Sequence, residues 1–310
     1  MRVASIDIGT NTILLLIADV RKGLSEILDI SESPRLGQDL AARGQLGKEA
    51  IERAIRVLKD YKKLIEKHGV EKTFCFGTAA LREARNAMDF VRLVEESFDF
   101  EVEILSEEYE AYYSFLSIVM DPLFGHNEKI IIDIGAGSVE IIQINNQAME
   151  NFTSLPLGVL KLKELFLKND PPNEKELSLL STHVENVLKV AKPRIKGNIA
   201  GIGGTITNVA SILTGKNYFD KNSVHGMKIS KEVLQSLLNK MKGLSTETIK
   251  EKFPSIEKKR ADIIMPGIVL LEKIVDSFGS NYIKVSIRGA RYGIIYDRIG
   301  FVPQASRDLL

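Results

Sequence analysis

Val3, Ile6 and Ile8 lead into Gly9-Thr10-Asn11-Thr12, and residues 13–20 are again apolar apart from Asp19. Two short apolar runs joined by a polar, glycine-bearing tip predict a β-hairpin. Between 48 and 68, Ile51, Ile55, Leu58, Leu64 and Ile65 recur at helical spacing, with Gly69 placed to stop the helix. A buried strand over 70–76, a helix over 80–97, a short strand over 102–105 and a helix over 107–120 complete an alternating first half. Asp121-Pro122 and Gly125 close it.

The pattern then begins again. Ile130-Ile131-Ile132-Asp133-Ile134-Gly135-Ala136-Gly137-Ser138 runs into an apolar stretch at 139–144, so that Asp-Ile-Gly recurs 126 positions after Asp7. Each copy ends an apolar strand and precedes a small-residue turn and a second strand, which predicts two halves built alike. Helical patterns over 174–191, 231–241 and 257–278 and strands over 198–202 and 282–287 fill the second half. Such alternation predicts an α/β fold with helices packed on mixed sheets.

Length and composition narrow this picture. A chain of 310 residues exceeds what one hydrophobic core usually organises, so two domains are expected. Apolar residues at 44% and charged residues at 27% exclude disorder as the main state. Lys+Arg of 42 against Asp+Glu of 41 leaves net +1, so no global field calls for a nucleic acid or an anionic membrane, and any polyanion must be gripped locally. The apolar stretch at 13–18 is far shorter than a membrane span and is bracketed by Asp7 and Asp19, which argues against a secretion signal. Cys75 stands alone, so no disulfide or cysteine metal site forms within the chain, and a cytoplasmic location is expected. His68, His126, His183 and His225 show no metal-ligand spacing.

A strand, tight glycine turn and strand presents backbone N–H groups with no side chain in the way, which lets a loop hold phosphate oxygens without net charge. Gly9-Thr10-Asn11 and Gly135-Ala136-Gly137-Ser138 both qualify. The alternative is an ordinary hairpin in which glycine and asparagine supply positive φ. A third cluster, Gly203-Gly204-Thr205, follows a strand and opens a helix, where N-terminal amides favour an anion or tight strand-to-helix packing takes place instead.

Taken in order, these pieces resemble the actin, sugar kinase and heat-shock ATPase superfamily. Thr78-Ala79-Ala80-Leu81-Arg82-Glu83-Ala84-Arg85-Asn86, Ser106-Glu107-Glu108-Tyr109-Glu110-Ala111, Leu157-Gly158, Gly203-Gly204-Thr205 and Arg260-Ala261-Asp262 narrow the resemblance to the exopolyphosphatase and guanosine pentaphosphate phosphohydrolase family, in its short two-domain form. The resemblance implies two actin-like (ribonuclease H-like) domains, with mixed sheets flanked by helices and an active site in the interdomain cleft. Domain I is then 1–124, with 289–310 packing back on it, and domain II is 125–288. Closure of the halves would hinge at Gly125 and at the Gly289 to Gly293 segment.

By the same resemblance Glu110 is the general base for an attacking water, with Glu108 the next candidate. Arg82, with Arg85 as its competitor, grips phosphate oxygens. The turns with Thr78 bind phosphate, and Asp133 and Glu140 hold Mg²⁺. Left to the residues alone, the acids around Glu110 could merely complement a helix capped by Ser106, and Asp133 could merely tie down its own turn. Lys228, Lys258, Lys259, Arg260 and Arg291 are candidates for a basic strip along which a polyanion lies. The chain departs from the family pattern at Glu107, Tyr109, Ala136, Val139 and Tyr292. The implied activity is Mg²⁺-dependent removal of terminal phosphate from inorganic polyphosphate, extending to guanosine pentaphosphate. The expected partners are polyphosphate, guanosine tetra- and pentaphosphate and, as assembly, a homodimer. A non-catalytic alarmone-binding regulator and a sugar kinase are the rival readings.

Overall fold

The computed structural model describes residues 1–124, 128–191 and 196–302. The chain divides into two compact units, Met1–Met120 joined by the segment from Gly289 onward, and Asp121–Arg288. The Gly125 hinge expectation and His126 lie outside the described residues.

The first unit contains β1 (Arg2–Ile8), β2 (Ile13–Asp19), β3 (Ser25–Glu32), α1 (Leu40–Arg43), α2 (Lys48–Lys67), β4 (Lys72–Gly77), α3 (Ala79–Glu83), α4 (Ala87–Phe98), β5 (Val102–Ile104) and α5 (Glu107–Val119). Its five-stranded sheet has the order β3-β2-β1-β4-β5. The first three strands are antiparallel, and β4 and β5 add in parallel, which makes the sheet mixed. The helical spacing in α2 becomes a buried stripe of Ala50, Ala54, Leu58, Tyr61 and Ile65. Tyr61 satisfies its hydroxyl by donating to the Ile13 carbonyl at 2.9 Å.

The single helix expected over 80–97 is two. Ala84 adopts extended backbone. The Arg85 N–H then donates to the Gly44 carbonyl, and the Asn86 side-chain amide pairs with the backbone of Leu46 in both directions. Local pattern favours one continuous helix, but these tertiary bonds to the loop before α2 divide it.

The second unit repeats the plan with β6 (Glu128–Ile134), β7 (Val139–Asn145), β8 (Ala148–Leu155), α6 (Val159–Phe166), α7 (Glu174–Ala191), β9 (Asn198–Ile202), α8 (Gly204–Leu213), α9 (Lys221–Val224), β10 (Lys228–Ser230), α10 (Lys231–Met241), α11 (Thr246–Lys252), a 3-10 turn (Lys258–Arg260), α12 (Ile264–Ser277) and β11 (Tyr282–Val285). Its sheet order is β10-β11-β9-β6-β7-β8. Without the edge strand β10, this is the order of the first sheet. The correspondence holds residue by residue: Asp7 pairs with Leu14 and Phe76, and Asp133 pairs with Glu140 and Ile202, each 126 positions further on. Residues 257–278 are not one helix, because Pro266 fits the first turn of α12 but would break a helix begun seven residues earlier.

A last helix, α13 (Ala290–Arg298), belongs to the first unit, where it packs on α5 and β1. Gly293 lies inside it, and a Cβ there would stand 1.9 Å from the Tyr113 carbonyl oxygen. This glycine serves close helix packing, and the chain crosses between the units at Arg288 and Gly289, where the segment expected as a hinge begins. Among the described residues no helix is long and apolar enough to cross a membrane.

Candidate active site

Ile8, Gly77 and Ile104 end β1, β4 and β5 at one level of the first sheet, since Ile8 pairs with Gly77 and Gly77 with Ile104. The segments leaving these strand ends carry the candidate chemistry, as is usual at the carboxyl edge of such sheets. After β1 comes the turn 9–12, closed by the Gly9 N–H donating to the Thr12 carbonyl at 3.0 Å. After β4 comes Thr78, buried at the start of α3, and one turn on is Arg82. After β5, Ser106 caps α5 by accepting from the Tyr109 N–H, and Glu110 follows.

Arg82 and Glu110 meet. The Arg82 guanidinium donates through Nη1 to Glu110 Oε2 at 2.6 Å and to the Leu105 carbonyl at 2.9 Å. Their side chains are 17% and 13% exposed, so the pair is shielded yet reachable. Arg85 instead donates to the Arg43 carbonyl and does not share the contact with Glu110. Glu107 and Glu108 are exposed in the first turn of α5, where they complement its positive end.

Both turns are held from behind by backbone N–H groups. In the first, the Gly37 N–H donates to the Thr10 carbonyl at 2.8 Å and the Arg35 N–H to the Asn11 carbonyl at 3.0 Å. In the second, Val159 and Leu160, the first residues of α6, donate to the carbonyls of Gly135 and Ala136 at 3.2 and 3.1 Å. Across a trans peptide the carbonyl and the following N–H point opposite ways. The N–H groups of Asn11, Ala136 and Gly137 are therefore presented on the face away from the backing segment. None of the residues 9–12 or 135–138 has positive φ, so the glycines are not there for the ordinary hairpin reason. A Cβ on Gly9 would fall 2.9 Å from the Thr12 carbonyl and one on Gly135 3.0 Å from the Ser138 carbonyl, so the tightness of the turn excludes it. Ala136 carries its methyl with ordinary backbone.

The Asn11 side chain is 2% exposed, with its amide nitrogen donating to the hydroxyls of Thr12 and Ser33 and its Oδ1 buried without a hydrogen bond. Asp7 approaches the same turn, its Oδ1 4.0 Å from where a Gly9 Cβ would be.

In the second unit Asp133 and Glu140 sit directly opposite on β6 and β7, so both side chains leave the same face of the sheet beneath the turn. Glu140 is 1% exposed and accepts from the Ser154 hydroxyl at 3.2 Å. The Gly203-Gly204 turn opens α8, and Gly203 has φ +106. A Cβ on Gly204 would lie 2.4 Å from the Arg260 guanidinium carbon, so that guanidinium is laid across the turn. Arg260 is held there by Glu257 at 2.9 Å, and Glu257 in turn donates its N–H to Asn208 of α8.

A profile of the Ppx/GppA phosphatase family matches residues 16–300. This chain belongs to that family. It is 31% identical over 312 residues to a bifunctional 3-dehydroquinate synthase/phosphatase of Fusobacterium nucleatum, covering 96% of this chain but only 46% of that protein. Exopolyphosphatase 2 of Mycobacterium tuberculosis is 28% identical over 287 residues, covering 88% of this chain and 89% of its own length. Among solved structures, the Aquifex aeolicus member of the Ppx/GppA family superposes with a TM-score of 0.83 at 32% identity, over 97% of this chain and 98% of that one. An exopolyphosphatase from Cytophaga hutchinsonii superposes at 0.88 over 98% of this chain and 99% of its own, a likeness of fold at 23% identity. The two mixed sheets flanked by helices are thus the actin-like architecture of Ppx/GppA proteins.

Within this Ppx/GppA frame the expected residues separate into two groups. Gly9, Thr10, Asn11, Thr78, Arg82 and Glu110 gather at one edge of the first unit. Gly135 to Ser138, Asp133, Glu140, Gly203, Gly204 and Arg260 gather in the second. Thr205 directs its methyl at Gly267 of α12 and packs there. Of the residues expected to form a basic strip, one is committed elsewhere. Arg291 is buried, 9% exposed, and its Nε and Nη2 each donate to Asp29 at 2.8 Å, so its charge is committed inside the first unit. Lys228 is exposed on the edge strand β10 with its ammonium over the Tyr282 ring, whereas Lys258 and Lys259 are exposed on the 3-10 turn. Sequence reasoning missed the backing segment 35–37 and Ser154, because neither carries a motif of its own.

Proposed function

We propose that this chain is a Mg²⁺-dependent phosphohydrolase that releases terminal phosphate from inorganic polyphosphate and the 5′ γ-phosphate of guanosine pentaphosphate. The observation that carries the reading is the shielded Arg82–Glu110 pair at the strand edge that also bears the first turn. A partly buried carboxylate suits a general base that takes a proton from water, and the guanidinium beside it suits charge developing on a phosphoryl group. The outward amides of both turns suit phosphoryl oxygens.

Asp133 and Glu140 lie directly opposite on one sheet face, where two carboxylates repel each other and a shared cation relieves the repulsion, as a proton or hydrogen-bond donors also do. Among the described residues no three His, Cys, Asp or Glu side chains converge on a metal position. That suits Mg²⁺, which commonly takes one or two carboxylates and keeps waters. Asp133 and Glu140 would hold it, and when bound it supplies neutralisation of phosphate charge. Polyphosphate is favoured as the substrate because a relative matched over most of its own length is named exopolyphosphatase.

Phosphate release from polyphosphate and from guanosine pentaphosphate, each with Mg²⁺ and with excess chelator, tests the reading. Release that depends on Mg²⁺ is expected. Tight binding of guanosine tetraphosphate with no release from either substrate would replace it with the regulator reading.

A further inference from the structure

The two turns are backed by different means. In the second unit the donors are the first N–H groups of α6, whose positions the helix fixes. In the first unit they come from an irregular strap, residues 34–38, in which Arg35 has φ +56 although it is not glycine. A strap of this kind needs an anchor, and the Arg53 side chain reaches it. From α2, Arg53 donates through Nε to the Pro34 carbonyl at 2.7 Å and through Nη2 to Gln38 Oε1 at 3.0 Å and the Arg35 carbonyl at 3.5 Å. All three acceptors are neutral carbonyl oxygens within five residues of one another. The fork of a guanidinium, with its donors in one plane, is suited to holding such a segment in one shape. The strap fits the turn closely, since a Cβ on Gly37 would stand 2.3 Å from Thr10 Cγ2.

We infer that Arg53 is a positioning residue for the first turn. It fixes the strap, the strap N–H groups of Arg35 and Gly37 fix the Asn11 and Thr10 carbonyls, and those carbonyls aim the amides toward the ligand. That the ligand is a phosphoryl group rests on the function proposed above. Without Arg53 the turn persists, but its amides are no longer preorganised, so anion affinity falls while the proton-transfer pair Arg82–Glu110 is untouched.

The test compares Arg53→Met and Arg53→Lys with Arg56→Met, an exposed neighbour on the same helix. Three quantities are read: tripolyphosphate affinity by calorimetry, KM and kcat for phosphate release, and backbone amide exchange at Arg35 and Gly37 by NMR. Arg53→Met should weaken tripolyphosphate binding and raise KM by about tenfold with kcat changed by less than about twofold. Exchange at Arg35 and Gly37 should quicken, Arg53→Lys should recover part of the affinity, and Arg56→Met should match the parent. Unchanged exchange at both amides in Arg53→Met overturns the inference, as does quickened exchange with parental affinity and KM. If the parent itself neither binds tripolyphosphate nor releases phosphate, the functional reading falls, and amide exchange alone decides whether Arg53 holds the strap.

Discussion

Asp133 faces Glu140 across β6 and β7, whereas Asp7, at the equivalent register of the first unit, faces Leu14 across β1 and β2. The duplicated hairpins therefore differ in one place that bears on chemistry. One carries a carboxylate pair beneath its turn, the other a single carboxylate.

This difference predicts where metal dependence resides. Excess chelator should stop phosphate release and Mg²⁺ restore it. Glu140→Leu, which installs the residue found at the equivalent register of the first unit, should raise the Mg²⁺ concentration for half-maximal activity by about tenfold or more. Full activity of the parent in excess chelator would remove Asp133 and Glu140 from the mechanism.

Glu110→Gln keeps the size of the side chain and an acceptor for Arg82 but removes the base. Turnover should fall by about 10²–10⁴-fold with tripolyphosphate affinity largely kept. Single-turnover rates check this directly. Activity within about threefold of the parent would move the role to another carboxylate, Glu108 first.

How much of this was legible beforehand depends on the range of the interaction. The Asp-Ile-Gly turns and the Gly203-Gly204 helix start are written in adjacent residues, and the structure has them where spacing placed them. The helix α2 is also where its spacing put it, but its fully buried stripe is centred on Ala50, Ala54 and Tyr61 beside the expected Leu58 and Ile65, with Ile51, Ile55 and Leu64 only partly buried. The Arg82–Glu110 contact is not local. It exists because β4 and β5 lie side by side and end at one level, which no periodicity reveals. The split at Ala84 and the burial of Arg291 arise in the same way. A helical pattern was overridden by bonds to Gly44 and Leu46, and an arginine near the end of the chain found Asp29 on β3, far away in sequence. The expected motif at Gly289 to Gly293 was visible, but its purpose, a helix laid against the Tyr113 backbone, was not.

Gly158→Ala places a methyl 2.2 Å from the Ala136 carbonyl oxygen and the Gly137 carbonyl carbon. Neither backbone atom can move without disturbing the second turn. A loss of about 1–3 kcal/mol in stability is expected, together with weaker tripolyphosphate binding. Chemical denaturation and calorimetry on the same variant check both, and parental values in both would show that the turn yields.

Asp121 offers a pH-dependent test. Burial by itself would raise its pKa, but the hydrogen bond from His225, the charge of Arg288 and the Leu123 N–H outweigh burial and hold the carboxyl below its usual range. A group depressed in the folded state contributes stability above its unfolded pKa of about 3.9 and loses that contribution as pH falls through the folded value. Asp121→Asn should therefore melt below the parent at neutral pH, and the gap should narrow on acidification below about pH 4. A gap that stays constant across that range would show that ionisation of Asp121 does not contribute.

The return of α13 to the first unit has a consequence for the order of assembly during synthesis. Residues 121–288 emerge from the ribosome as one uninterrupted stretch and include every strand of their own sheet. The first unit begins earlier but cannot cover β1 and α5 until the helix at Ala290–Arg298 has been made. Of the two units, the one begun first is thus the last to be sealed. Until then the apolar faces of β1 and α5 that α13 covers stay open to solvent.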